Sequence, residues 1–172
     1  MEEINKQLAK QFRNSTEELV QLIEKFDNES FNRKPANGGW NAGEVAEHLL
    51  LFDIRLNKIL ETATHATDRD IAEKEPIFIT RLGDRKNKID APPFLVPSPG
   101  IKSVSILVDN IKAERSKITR TIEENDLSLH SKEFPHRFFG EMTVLEWIKF
   151  IDLHAKRHME QLDELLSTAD GA

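Results

Sequence analysis

Two histidines stand four residues apart in the run His154-Ala155-Lys156-Arg157-His158. On an α-helix that spacing places both imidazoles on one face, about a turn apart, so that a nitrogen from each can reach a single ion. A third imidazole, His48, lies far upstream in the strongly helical segment Trp40-Asn41-Ala42-Gly43-Glu44-Val45-Ala46-Glu47-His48-Leu49. Three neutral imidazoles from two helices would form a cation site with a coordination position left open for water or substrate. The competing reading is a set of hydrogen-bonded core or surface histidines, and spacing alone leaves both open. Burial weighs on the metal side, because His154 and His158 share a helical line with Trp147, Ile151, Leu162 and Leu165. Two stacked imidazoles cannot satisfy their nitrogens against leucine.

The elements that must position these residues are legible from periodicity. Between Glu2 and Phe26, the residues Ile4, Leu8, Phe12, Leu19, Ile23 and Phe26 mark the buried stripe of a first helix, and Asp27 to Gly39 reads as a loop pinned by Phe31. A second helix begins at Asn41, whose side chain caps it while Glu44 reaches back, and Trp40 with Val45 forms a hydrophobic staple. Its stripe is Val45, Leu49, Phe52, Leu56, Ile59 and Leu60, with His48 falling along it and facing inward or into a cleft. From Thr62 to Gly100 the pattern breaks. Asp68 to Lys74 suits a short helix, but Pro76, Pro92, Pro93, Pro97 and Pro99 preclude a long element. Such an excursion is either a lid or wall over a site, or a surface connection pinned by Ile77, Phe78, Ile79, Phe94 and Leu95.

A third long helix carries Val104, Leu107, Val108, Ile111, Ile118 and Ile122 and ends near Asn125. Arg115, in the same register, is expected to snorkel outward to a carboxylate. Asp126 to Gly140 reads as a loop or brief hairpin. The last helix, Glu141 to Leu166, repeats the capping device with Thr143 and Glu146, stapled by Met142 and Trp147. Four long helices, with a long proline-containing connection between the second and third, predict an all-α four-helix bundle over a single domain, residues 1–172. His65, His130 and His136 lie near loops without partners at ligand spacing. Surface roles are expected for them, with His136 able to lean over a site mouth.

Composition narrows the chemistry. There is no cysteine, so disulfides, thiolate ligands and a cysteine nucleophile are excluded, and any thiol must come from a second substrate. No glycine-flanked serine elbow and no glycine-rich phosphate loop is present. The net charge of −6, without a basic block, argues against a nucleic-acid partner. Met1-Glu2-Glu3-Ile4-Asn5-Lys6 lacks the form of a secretory signal, and no apolar run reaches membrane-spanning length, so a cytoplasmic location and no membrane partner are expected.

Trp-Asn-x-x-Glu-Val-x-x-His-Leu at 40 to 49, with His-x-x-x-His-x-x-Gln at 154 to 161, resembles the DinB/YfiT-like superfamily. The resemblance covers nearly the whole chain in element order. It implies a four-helix bundle in which a histidine of the second helix and the pair of the last bind a divalent metal, zinc or nickel, and these positions fall on His48, His154 and His158. The resemblance also implies activity, since its members include thiol-dependent S-transferases such as those using bacillithiol, mycothiol-dependent isomerases, and proteins classed as metal-dependent hydrolases. The expected function is therefore transfer of a low-molecular-weight thiol to a small electrophile at a three-histidine metal site. A hydrolase using water, and a non-catalytic metal-binding or structural bundle, are the alternatives. The connection from Thr62 to Gly100 would shape the electrophile pocket. Glu44, Glu47, Asp152 and Gln161 are near enough to orient the imidazoles, although caps or solvated residues explain each more simply. Arg157 suits either a pairing with Glu160 or Glu164 or an anionic cosubstrate. A homodimer is expected.

Overall fold

The structure is a computed structural model and describes residues 2–84 and 90–170. Four long helices carry the fold: α1 (Glu2–Ile23), α3 (Ala42–Glu61), α5 (Val104–Glu124) and α6 (Val144–Asp170). In α1, α5 packs on one side and α6 on the other, and α3 closes the ring by packing against both α5 and α6. This is the expected all-α bundle. Two short helices decorate it, α2 (Asn28–Asn32) against α3 and α4 (Glu75–Gly83) against α6, and a single 3-10 turn, Pro93–Leu95, lies on α3.

Both helix starts beside the histidines are built as the sequence dictates. Asn41 Oδ1 accepts the Glu44 N–H and Glu44 returns a carboxylate oxygen to the Asn41 N–H, each at 2.8 Å. At α6, Thr143 Oγ1 accepts from Glu146 N at 3.1 Å and the Glu146 carboxylate accepts from Thr143 N at 2.9 Å. Each box satisfies two amides that a helix end otherwise leaves unpaired. Met142 and Trp147 are buried beside the second box, as a staple requires.

Several local expectations are corrected. Asp27 to Gly39 is not all loop, because Asp27 caps the turn of α2 by accepting from Ser30 N at 2.7 Å; Phe31 is fully buried as expected. Ile4 is exposed, and Asn5 takes the inward position, donating to the Asn125 carbonyl at 3.1 Å. The short helix of the long connection lies at Glu75–Gly83 rather than 68–74, and Pro76 opens it, a position where its missing N–H costs nothing. In that connection Phe78 and Leu95 are buried while Ile77, Ile79 and Phe94 are exposed. Its residues 85–89 lie outside the described ones. The loop after α5 pairs with the other connection: β1 (His65–Ala66) and β2 (Leu129–His130) form an antiparallel ladder with His65 opposite His130.

The interior divides into two apolar clusters. One contains Phe12, Leu56, Ile118 and Ile151, the other Leu19, Leu49, Ile111 and Ala155. Between them along the four long helices fall Ser15, Asp53, Arg115 and His154, a polar layer across the bundle. Arg115 does not snorkel. It is 1% exposed, bonded through Nε to Asp53 Oδ2 at 3.1 Å, with its guanidinium 4.8 Å from the centre of the Phe12 ring. Its carboxylate partner is inside the core, where burial pushes the Asp53 carboxyl up to about 6 against the pull of Arg115.

Candidate metal centre

His48 projects from the second turn of α3 and is 4% exposed, while His154 and His158, one turn apart on α6, are half-buried. The packing of α3 on α6 brings the three together, with ligand atoms within 4.8 Å of one another. The convergence is through Nε2: His48 to His154 at 3.3 Å and His158 to His154 at 3.2 Å. Two nitrogens bound to one zinc-like ion at tetrahedral angles stand about 3.3 Å apart. The three expected residues therefore form a cluster that could hold a metal ion.

The protons favour this over a hydrogen-bonded trio. His48 Nδ1 lies 2.8 Å from the Leu95 carbonyl and His158 Nδ1 lies 2.9 Å from Gln161 Oε1, so each donates its N–H there and turns an Nε2 lone pair inward. A neutral His154 has one proton, which could serve one of those two lone pairs but not both. A cation serves all three. Burial holds both His48 and His154 below the usual imidazole range; for His154 the effect is large and is reinforced by the nearby His158, His48, Arg157 and Arg115. Neutral imidazoles are the form a metal requires. His154 Nδ1 is buried without a partner.

Aromatic rings wall the cluster. Trp40 stands 5.0 Å from His48 and Phe52 4.9 Å from His154, edge-on, while Phe150 lies parallel to His154 at 6.3 Å. Phe150 also meets His136 edge-on at 5.0 Å, and His136 stacks on Phe139 at 4.5 Å. His136 is thus half-buried in an aromatic stack that reaches the site through Phe150, rather than standing free on the surface. His130 pairs with Glu141 at 3.1 Å, and His65 is exposed across the ladder from it.

Of the four residues considered as orienting groups, only Gln161 touches a ring. Glu44 is a cap that also binds Lys34, Glu47 binds Ser98 and Lys102, and Asp152 binds Lys156. Arg157 donates to the Leu82 carbonyl at 2.8 Å, tying α6 to the end of α4. The Leu95 carbonyl is the participant that side-chain patterns miss. A backbone acceptor leaves no signature in residue type, and only the proline-rich setting of the segment pointed to a wall.

A helical ring with three imidazoles converging between its second and last long helices defines a class, and the sequence profile of the DinB superfamily matches residues 11–162. The chain belongs to the DinB superfamily. It is similar to the uncharacterized protein YuaE of Bacillus subtilis (strain 168), being 33% identical over 141 residues that cover 81% of this chain and 85% of YuaE. No helix among the described residues is long and apolar enough to cross a membrane.

Proposed function

We propose that the protein is a divalent-metal-dependent enzyme that transfers a low-molecular-weight thiol to an electrophilic small molecule, with His48, His154 and His158 holding zinc or nickel. The observation that carries this reading is the convergence of three Nε2 atoms at 3.2 and 3.3 Å, two of them deprotonated by the bonds their rings make on the far side. A bound divalent ion would supply Lewis acidity and lower the pKa of the nucleophile that reaches the remaining position. The chain's own residues do the rest. Leu95 and Gln161 fix the imidazole tautomers, and Trp40, Phe52 and Phe150 exclude water from the histidine rings. Three neutral donors leave the charge of the ion uncompensated, so the set favours an anionic nucleophile such as a thiolate. With no cysteine in the chain, that thiol comes from solution. A homodimer belongs to the same reading, supported by the exposed Ile77 and Ile79 on α4; sedimentation equilibrium tests it.

The deciding experiment is elemental mass spectrometry on protein purified without an affinity tag, beside His48→Ala and the His154→Ala/His158→Ala double variant. Stoichiometric zinc or nickel, lost in both variants, is the expected result. The loaded protein is then assayed for consumption of a small thiol with an alkylating electrophile. Turnover with water alone would replace the transferase reading by a hydrolase. Failure of the wild type to retain either ion would leave a non-catalytic bundle.

A further inference from the structure

Glu47 and His48 are neighbours on α3, and both grip the same segment, the strap from Pro92 to Ser103. His48 holds it at the Leu95 carbonyl. Glu47 holds it at Ser98, accepting from the backbone N–H at 3.0 Å and from the hydroxyl at 2.7 Å. Lys102 completes the clamp: its Nζ lies 2.6 Å from Glu47 Oε2, 2.7 Å from the Ser98 carbonyl and 2.6 Å from the Ser98 hydroxyl. Both side chains are largely withdrawn from water, at 9% exposure for Lys102 and 17% for Glu47. The backbone at Lys102 is fixed as well, its N–H donating to Asn32 Oδ1 at 2.7 Å and its carbonyl accepting from Asn32 Nδ2 at 2.9 Å. Between the two grips the strap contains Pro97, and Pro92, Pro93 and Pro99 flank them, so its backbone is stiff and a displacement at Ser98 is transmitted to Leu95.

We propose that Glu47 and Lys102 are positioning residues for the histidine centre: their clamp on Ser98 sets the Leu95 carbonyl against His48 Nδ1, and thereby aims the Nε2 lone pair at His154 and His158. This rests on the metal reading above. Without the clamp the proton of His48 is free to move to Nε2, which removes one donor from the site although all three ligands remain. The coupling is reciprocal, since an ion that holds Nε2 also holds the ring against the strap.

The test measures zinc affinity by competition with a chromophoric chelator in Lys102→Met, Glu47→Gln and Lys102→Arg, with backbone hydrogen exchange at Ser98 and Lys102 and 15N imidazole shifts of the zinc-free proteins. The expected result is a loss of affinity of about tenfold in Lys102→Met and Glu47→Gln, as for other groups that orient metal ligands, with most of it restored by Lys102→Arg. Zinc slows exchange at both strap amides in the wild type. The zinc-free His48 shifts from a single Nδ1–H tautomer to a mixture in Lys102→Met. Ile118→Val, a core change outside the site, lowers Tm and leaves affinity unchanged, separating positioning from general destabilisation. Zinc affinities within about twofold of wild type in both clamp variants, with an unaltered His48 tautomer, would overturn the proposal. A wild type that binds no zinc removes the metal reading instead, and is distinguished because the variants then have nothing to lose.

Discussion

Two imidazoles of the centre, His48 and His158, are defined by what their other nitrogen touches. Gln161 is the clearer case, because its Oε1 accepts a hydrogen bond from His158 Nδ1 at 2.9 Å. Gln161→Leu keeps the bulk and removes the acceptor; zinc affinity should fall about tenfold by chelator competition, and an unchanged affinity would show that Gln161 is incidental. His136 gives a prediction of another kind. Its Nδ1 accepts from the Phe138 and Phe139 amides at 3.2 and 3.3 Å, and burial first, then Arg137, Arg81 and Lys74, push its pKa down to about 4. The unfolded chain binds a proton there near pH 6.5, so between 6.5 and about 4 unfolding takes up a proton and stability is lost as pH falls, up to on the order of 3 kcal/mol. His136→Asn retains an acceptor for the two amides and cannot titrate. Its Tm should decline less steeply than that of the wild type across that window, and an identical slope would refute the assignment. At this scale the three clustered histidines were readable from spacing and helical face, whereas the ring contacts of His136 were not, because Phe139 reaches it from its own loop and Trp147 and Phe150 from α6.

Among the elements, the start of α3 is tied to the strap through a missing side chain. A Cβ on Gly43 would lie 2.9 Å from both Cβ and Cγ of Lys102, atoms close to a fixed backbone and unable to swing aside. In an open helix Gly→Ala gains about 1 kcal/mol; here Gly43→Ala should instead lower Tm and weaken zinc binding, because Lys102 is displaced from Glu47. A raised Tm would contradict this. The capping boxes of α3 and α6 were legible because both partners lie within four residues. The turns from Asp68 to Lys74 were not, because their organiser is distant. Glu146, fully buried, receives both Arg69 guanidinium nitrogens at 2.8 and 2.7 Å and the Lys74 N–H at 2.8 Å, and these bonds outweigh the burial that would otherwise raise its pKa. One carboxylate of α6 thus bends the connection and delays its helix to Glu75.

Across the whole molecule, a polar layer separates the two apolar clusters. Asp53 and Arg115 are its charged members, and removing one strands the other. Arg115→Met should cost about 3–5 kcal/mol in denaturant unfolding near neutral pH. The penalty should shrink toward pH 5, because a carboxyl whose folded-state pKa is already raised to about 6 keeps its proton there and loses stability as pH rises through that value. Adding Asp53→Asn should recover much of the loss and flatten the pH dependence; a loss independent of pH would exclude a stranded carboxylate. The four-helix architecture was legible from the number and length of the apolar stripes. The layer was not, since Ser15, Asp53, Arg115 and His154 become neighbours in level only after the ring of helices closes.

His48 and His154 stand 106 positions apart in the chain, and the second of them lies on α6, which is synthesised well after α3. A nascent chain therefore exposes a lone imidazole on α3 long before its partners exist, and any ion it meets then finds a single weak donor. The complete triad arises only when α6 docks against α3. A product truncated before α6 carries one imidazole of the three, so whatever the cluster can hold waits on the docking of these two helices.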